Sequence, residues 1–257
     1  MENMPRLLYI IIMAFLQGVT EFLPISSSGH LVLVGKALGL NEPGGGLEIA
    51  LHFGTLLSII VFYWKDLVAL AKTANSVKSE STKTIGLVII ASVPAAVIGL
   101  AFESQLLSCF DNGALAGAML ILTGIILLST LFTTKHGARI NLPRAIAIGF
   151  AQAAAILPGI SRSGITIVTA RHTGVEGEKA ARFSFFMAIP VIAGANFLHL
   201  IGHSSGFDAI HIVGIAISFV IGYISLKVLI KVLDKGKLWV FGPYCLILGI
   251  ISLIALT

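Results

Sequence analysis

A carboxylate, a histidine, an arginine and a cluster of hydroxyls stand in two short runs of an otherwise apolar chain. The first reads Gln17-Gly18-Val19-Thr20-Glu21-Phe22-Leu23-Pro24-Ile25-Ser26-Ser27-Ser28-Gly29-His30, the second Gln152-Ala153-Ala154-Ala155-Ile156-Leu157-Pro158-Gly159-Ile160-Ser161-Arg162-Ser163-Gly164. Gln, Leu-Pro and Ile-Ser-x-Ser-Gly recur in near register, with a one-residue slip at the proline, so the chain reads as duplicated. In each run a half-helix is expected to start at about 26–30 and 161–166, so that its free backbone N–H groups and positive dipole end form an anion site. Gly29, Gly159 and Gly164 would let a ligand come close to backbone. The hydroxyls of Ser26, Ser28, Ser161, Ser163 and Thr166 can donate to phosphate oxygens, and Arg162 adds a planar fork suited to bidentate phosphate binding.

Glu21, Ser27 and His30 supply the reactive groups. An Arg or Asp at the centre of a spanning helix costs about 2.5–3.5 kcal/mol on insertion scales, so keeping Arg162 and Glu21 at membrane depth demands a reason. A salt bridge that merely pins the two runs together would explain the pair, but neither the serines nor His30. Three nucleophiles are admissible: Ser27 with His30 as base, His30 itself, or water activated by Glu21.

The elements that must position these residues follow from composition. Of 257 residues, 56% are hydrophobic and 11% charged, and the mean hydropathy is +0.99. That balance excludes a soluble domain and predicts an all-α integral membrane protein. Runs long enough for a bilayer core of about 30 Å fall at 47–64, 84–102, 114–132, 181–201, 210–230 and 238–256, giving six spanning helices. The segments 6–40 and 143–173 are each broken centrally by proline, serine and glycine. Each reads as a re-entrant helical hairpin with its tip enclosed by protein, since non-helical backbone is not tolerated against lipid. The first apolar run lacks a small-residue cleavage pattern, so the N-terminus is expected to be retained.

Charge tests this layout. Fourteen of the seventeen Lys and Arg lie at 65–83, 135–144, 171–182 and 227–237, all on one side in this arrangement, while Glu42, Glu48, Glu103, Asp111 and Asp208 fall on the other. By the positive-inside rule the basic side is cytoplasmic and both termini face out. Three spans separate the hairpins, so the halves, about 1–134 and 135–257 of one membrane domain, would form an inverted-topology repeat. Broken segments in matching positions of such halves mark a binding site near the membrane midplane.

Other polar residues take plainer readings. Cys109 and Cys245 lack metal or redox spacing and read as small apolar fillers. His199, His203 and His211 flank an outward loop, and His136 and His172 sit in basic loops, none with tight metal-ligand spacing. Glu48 and His52, one helical turn apart after the first hairpin, are placed to support the mouth of a pocket. The basic loops orient the chain and meet anionic lipid headgroups rather than nucleic acid.

With these motifs the chain resembles the undecaprenyl-diphosphate phosphatase family of membrane enzymes, the bacitracin-resistance proteins, over essentially its whole length. The resemblance rests on Gln17 to Glu21 continuing through Ser26-Ser27-Ser28-Gly29-His30, and on Pro158-Gly159-Ile160-Ser161-Arg162-Ser163-Gly164-Ile165-Thr166. It implies six spanning helices with two re-entrant hairpins in a cell membrane, and removal of the terminal phosphate of a C55 polyprenyl diphosphate to give the monophosphate carrier lipid. It also implies a divalent cation, Mg²⁺ or Ca²⁺. Gln17 stands where the family pattern admits a carboxylate, which leaves Glu21, with Gln17 beside it, to hold the ion together with substrate oxygens. The expected partners are the polyprenyl diphosphate and membrane lipid, with a homodimer as an admissible assembly.

Three rival readings are distinguishable. The type-2 lipid phosphatases share a Ser-Gly-His and a Ser-Arg element, but require a histidine where this chain has Val168. Inverted repeats with broken helices also build transporters, so a lipid-phosphate or anion transporter is the alternative function. An intramembrane serine protease using Ser27 and His30 would leave Arg162 without a role.

Overall fold

The structure is a computed structural model that describes residues 5–38, 46–76, 78–133, 137–202 and 209–256. Glu42, Lys135, His136, His203 and Asp208, and the side chain of His199, lie outside the described residues. All regular structure among the described residues is helical, as the composition demands.

The chain runs α1 (Arg6–Phe22), α2 (Ser27–Leu38), α3 (Gly46–Phe62), α4 (Trp64–Thr73), α5 (Glu80–Ala101), α6 (Glu103–Phe110), α7 (Gly113–Leu128), α8 (Leu142–Ala154), α9 (Arg162–His172), α10 (Gly177–Gly202), α11 (Ala209–Asp234) and α12 (Phe241–Leu256). Five segments are long and apolar enough to cross a membrane: Glu80–Ala101, Gly113–Phe132, Gly177–Leu198, Ala209–Asp234 and Leu238–Ala255. A sixth arises if α3 and α4, bent by 67° at Tyr63, count as one. The protein is therefore a multi-pass membrane protein, and the six apolar runs of the sequence correspond to these segments. The sequence reading ended that run at Trp64 and placed 65–83 in a loop; instead Trp64–Thr73 form the short helix α4, which has no buried residue.

The two motif-bearing segments are helix–break–helix units. Helix α1 packs on α2 and α8 on α9. With 12 and 11 residues, α2 and α9 are only about 17–18 Å long at 1.5 Å per residue, well short of a bilayer core. Both breaks have sequence causes: Pro24 and Pro158 lack the N–H that a continuing helix would bond, and a serine two or three residues on caps the next helix.

Packing is reciprocal. Helix α1 lies along α11, α8 along α5, and α7 along α12. Small residues let the backbones approach, as expected where lipid leaves no hydrophobic drive between helices. A Cβ added to Gly149 would meet the Ala91 carbonyl oxygen at 2.6 Å, and one on Gly18 would lie 3.0 Å from the Gly222 nitrogen. The outer faces stay apolar, with Phe150, Leu100 and Ile254 more than half exposed, as a lipid-facing surface requires. The buried apolar core runs from Phe22 through Phe185, Ile167 and Leu229, behind the two helix breaks.

Candidate active site

Where the two breaks meet, side chains are absent. A Cβ built on Gly29 would stand 2.9 Å from the Gly159 Cα, and one on Gly164 would touch Pro24. Glycine against glycine is what lets the tips converge. Helix α7 staples the second tip, since Thr123 Oγ1 donates to the Gly159 carbonyl at 2.8 Å and accepts from the Ser161 N–H at 3.1 Å.

The tips repeat each other atom for atom. Ser26 Oγ accepts from the Gly29 N–H at 3.2 Å, and Ser161 Oγ from the Gly164 N–H at 3.1 Å. Ser26 Oγ lies 3.3 Å from Ser28 Oγ, and Ser161 Oγ lies 3.3 Å from Ser163 Oγ. Ser27 and Arg162 thus occupy equivalent positions, the first residue of α2 and of α9. The caps use the glycine N–H of each Ser-x-Ser-Gly and leave the N–H groups of Ser27, Ser28, Arg162 and Ser163 as first-turn donors. One difference is conformational: Ser26 has φ 69°, whereas Ser161 has φ −75°. A non-glycine residue in the left-handed region costs on the order of 1–2 kcal/mol. Ser26→Gly should therefore offset the lost cap by relieved strain and stay within about 0.5 kcal/mol of wild type, while Ser26→Ala should lose about 1 kcal/mol. Thermal unfolding in detergent checks the order of the two.

Ser27 and Arg162 converge on Glu21. Arg162 Nη2 pairs with Glu21 Oε1 across 141 residues of sequence. Ser27 Oγ donates to Glu21 Oε2 at 2.5 Å, and Gln17 Nε2 donates to the same oxygen at 3.1 Å. His52 brings Nε2 to 3.7 Å from that oxygen. Its Nδ1 donates to the Glu48 carbonyl at 2.9 Å, which fixes the ring with Nε2 toward Glu21. Glu21 is 7% exposed, with a permanent cation beside its carboxylate.

These groups open on a cavity of about 300 Å³, at the lower end of ligand-site sizes. Of the residues singled out from sequence, Glu21, Ser26, Ser27, Ser28, Ser161 and Arg162 line it. Gly29, Ser163, Gly164 and Thr166 do not; they build the tips. Thr166 donates to the Arg162 carbonyl at 2.7 Å and meets Ser184 Oγ at 2.7 Å, while Ser163 faces the Leu23 carbonyl. His30 also stands outside the lining. Its Nδ1 donates to the Ser26 carbonyl at 2.7 Å, and its Nε2 accepts from Tyr244 Oη at 2.7 Å, the two rings stacking. Both nitrogens are engaged, so the ring braces the strained turn at Ser26 against α12.

Glu48 and His52, expected at the pocket mouth, line the cavity, and so do Gln152 and Asn196. Sequence reading missed Thr123, Tyr244 and Asn196, which sit on long apolar helices with no local motif. Gln152 was visible as a motif residue but was assigned no role. Its amide nitrogen and oxygen are both buried with no partner among the described residues, and the same holds for Gln17 Oε1. No group of three or more His, Cys, Asp or Glu among the described residues could hold a metal. One carboxylate beside an orphaned amide oxygen fits a hard cation that takes most of its oxygens from substrate and water, not one held by a protein cage.

Known proteins resemble this chain over nearly its whole length. A relative from Desulforapulum autotrophicum named undecaprenyl-diphosphatase is 37% identical, covering 95% of this chain and 96% of its own. Proteins of the same name from Rhodopirellula baltica and Pelobacter propionicus are 41% and 42% identical, each alignment covering at least 95% of both chains. The family described as bacitracin resistance protein BacA matches residues 10–251, which takes in both tips and every helix that touches the cavity, and the chain belongs to that family.

Proposed function

We propose that this protein is an integral membrane undecaprenyl-diphosphatase, hydrolysing the terminal phosphate of a C55 polyprenyl diphosphate to the monophosphate carrier lipid. The observation that carries this reading is the Ser27–Glu21–Arg162 chain, drawn from two helix N-termini into one cavity. A hydroxyl hydrogen-bonded to a carboxylate, beside a guanidinium and free N–H groups, is what phosphoryl transfer asks of a protein: a nucleophile, a base and a preorganised anion clamp.

In this reading Ser27 Oγ attacks the distal phosphorus as Glu21 Oε2 takes its proton, and the bond from that phosphorus to the bridging oxygen breaks. The lipid monophosphate leaves. Water then attacks the phosphoserine, the proton held by Glu21 returns to Ser27 Oγ, and inorganic phosphate is released. Arg162 and the first-turn N–H groups of α2 and α9 hold the equatorial oxygens throughout. Water activated directly by Glu21 is the second route, available because the same oxygen would be free if Ser27 rotated away. His30 supports neither route as a base while both its nitrogens are held by Ser26 and Tyr244; its role here is to brace the turn.

A divalent cation, Mg²⁺ or Ca²⁺, would be held by Glu21 with Gln17 Oε1 at its side. When bound, it supplies charge neutralisation on phosphoryl oxygens.

The halves 1–134 and 135–257 are read as inverted repeats with re-entrant hairpins, in a cell membrane with both termini outside. The paired caps at Ser26 and Ser161, and the exchange of packing between α1 on α11 and α8 on α5, support that reading.

The test is inorganic phosphate release from undecaprenyl diphosphate by purified protein in detergent, with and without EDTA. Release that stops on chelation and returns with Mg²⁺ or Ca²⁺ is expected. A folded protein that releases no phosphate from any polyprenyl diphosphate, yet moves the lipid between leaflets of a vesicle, would put the transporter in its place.

A further inference from the structure

Gln152 is 2% exposed and lines the cavity together with Glu21, Ser27 and Arg162. Neither its Nε2 nor its Oε1 has a hydrogen-bond partner among the described residues. A buried amide left without partners is a standing cost that a native structure seldom carries without a use.

The repeat explains how the amide came to be free. Gln17 holds the corresponding place on α1, and its Nε2 donates to Glu21 one helical turn on. One turn on from Gln152 stands Ile156, which also lines the cavity but offers no acceptor. The same side chain in the same place of the repeat is therefore tied to a carboxylate in one half and left without a partner, in a residue that lines the cavity, in the other.

We propose that Gln152 is a substrate-binding residue, its Nε2–H groups donating to a phosphoryl oxygen of the diphosphate that Arg162 and the helix N-termini hold. This inference deepens the diphosphatase reading and rests on it. A carboxamide suits the position on three counts. It offers two donors toward an anion. Being neutral, it does not compete with Arg162 for Glu21. Its Oε1 remains to accept from a water beside the phosphate. A carboxylate of the same shape would instead repel the diphosphate.

Two variants test it, Gln152→Met, which keeps the volume without hydrogen bonding, and Gln152→Glu, which keeps the shape and adds charge. For each, KM and kcat for phosphate release, the melting temperature without ligand, and the Kd of a methylene-bridged, non-hydrolysable polyprenyl diphosphonate are measured. Hydrogen bonds to charged groups are strong enough that Gln152→Met should raise KM and the diphosphonate Kd roughly tenfold to a hundredfold. The kcat should stay within about threefold of wild type. Because no internal bond is lost, the unliganded melting temperature should hold or rise. Gln152→Glu should weaken diphosphonate binding further than Gln152→Met does.

Unchanged diphosphonate affinity in Gln152→Glu would overturn the proposal, whatever the stability of Gln152→Met. So would a drop in the melting temperature of Gln152→Met at unchanged KM, which would assign the amide to the fold. If wild type binds the diphosphonate and the variants bind it weakly, yet wild type releases no phosphate, the subsite stands and the diphosphatase reading falls.

Discussion

Replacing Arg162 by Met should abolish phosphate release and lower stability by about 3–5 kcal/mol, because the Glu21 carboxylate is then left buried and unpaired. Losing the clamp on the equatorial oxygens alone accounts for about 10²–10³ in kcat. Glu21→Gln should cost on the order of 10²–10⁴ in rate by removing the base. Its cost in stability should be smaller, since the surviving Arg162 side chain is 18% exposed against 5% for Glu21. The informative variant combines the two. Glu21→Gln with Arg162→Met removes both charges, so its melting temperature should recover most of what Arg162→Met loses while its activity stays at background. Purely additive stability losses would show that the two groups do not interact, and phosphate release by the double variant would place the chemistry elsewhere. The contrast separates a pair kept for catalysis from one kept for the fold: buried ion pairs contribute little net stability, so the fold does not require this one.

Gly159→Ala should be nearly as damaging with no functional group changed. Gly159 has φ +97°, and a Cβ there would come within 2.3 Å of the Ala116 carbonyl oxygen on α7. The left-handed conformation costs about 1–2 kcal/mol for any L side chain, and overpacking against backbone adds roughly 1–3. The loss should total about 2–5 kcal/mol. The tip could relieve the clash only by breaking the Thr123 bonds that fix Gly159 and Ser161. Arg162 follows directly, and a 1 Å displacement of a positioning group can cost 10²-fold in rate. Gly137→Ala is the control, since Gly137 has φ +64° with nothing within 4 Å of the added Cβ. It should cost about 1 kcal/mol and leave kcat unchanged. Equal effects from the two substitutions would show that the close approach of the second tip to α7 does not matter.

Much of the architecture was legible because hydropathy and charge act locally. Runs of apolar residues of bilayer length located the long helices to within a few residues. Pro24 and Pro158 marked the breaks because serine and glycine follow them, unlike Pro94 and Pro190, which stand inside α5 and α10, and the serines marked the next starts because a hydroxyl can cap a helix. Beyond Trp64 the sequence reading expected a loop, whereas the chain bends by 67° at Tyr63 into the short helix α4. At the site, residue types pointed to anion chemistry and left Ser27, His30 and water close together as nucleophiles. The surroundings of His30 were not legible locally, since Tyr244, which occupies its Nε2, lies 214 residues away.

The sequence by itself determined which residues bring charge and hydroxyl groups into apolar segments, where helices break, and that the two breaks share one residue pattern. It did so because helix propensity, capping and bilayer length are properties of neighbouring residues. Only the tertiary structure decided which side chains face the cavity: Glu21 meeting Arg162, His30 turned to Tyr244, Thr166 turned to Ser184, and Gln152 left with a free amide. These directions are set by contacts between residues far apart in the chain, by the approach of Gly29 to Gly159 and by the positive φ of Ser26. Two tips with the same local pattern therefore present different faces to one site.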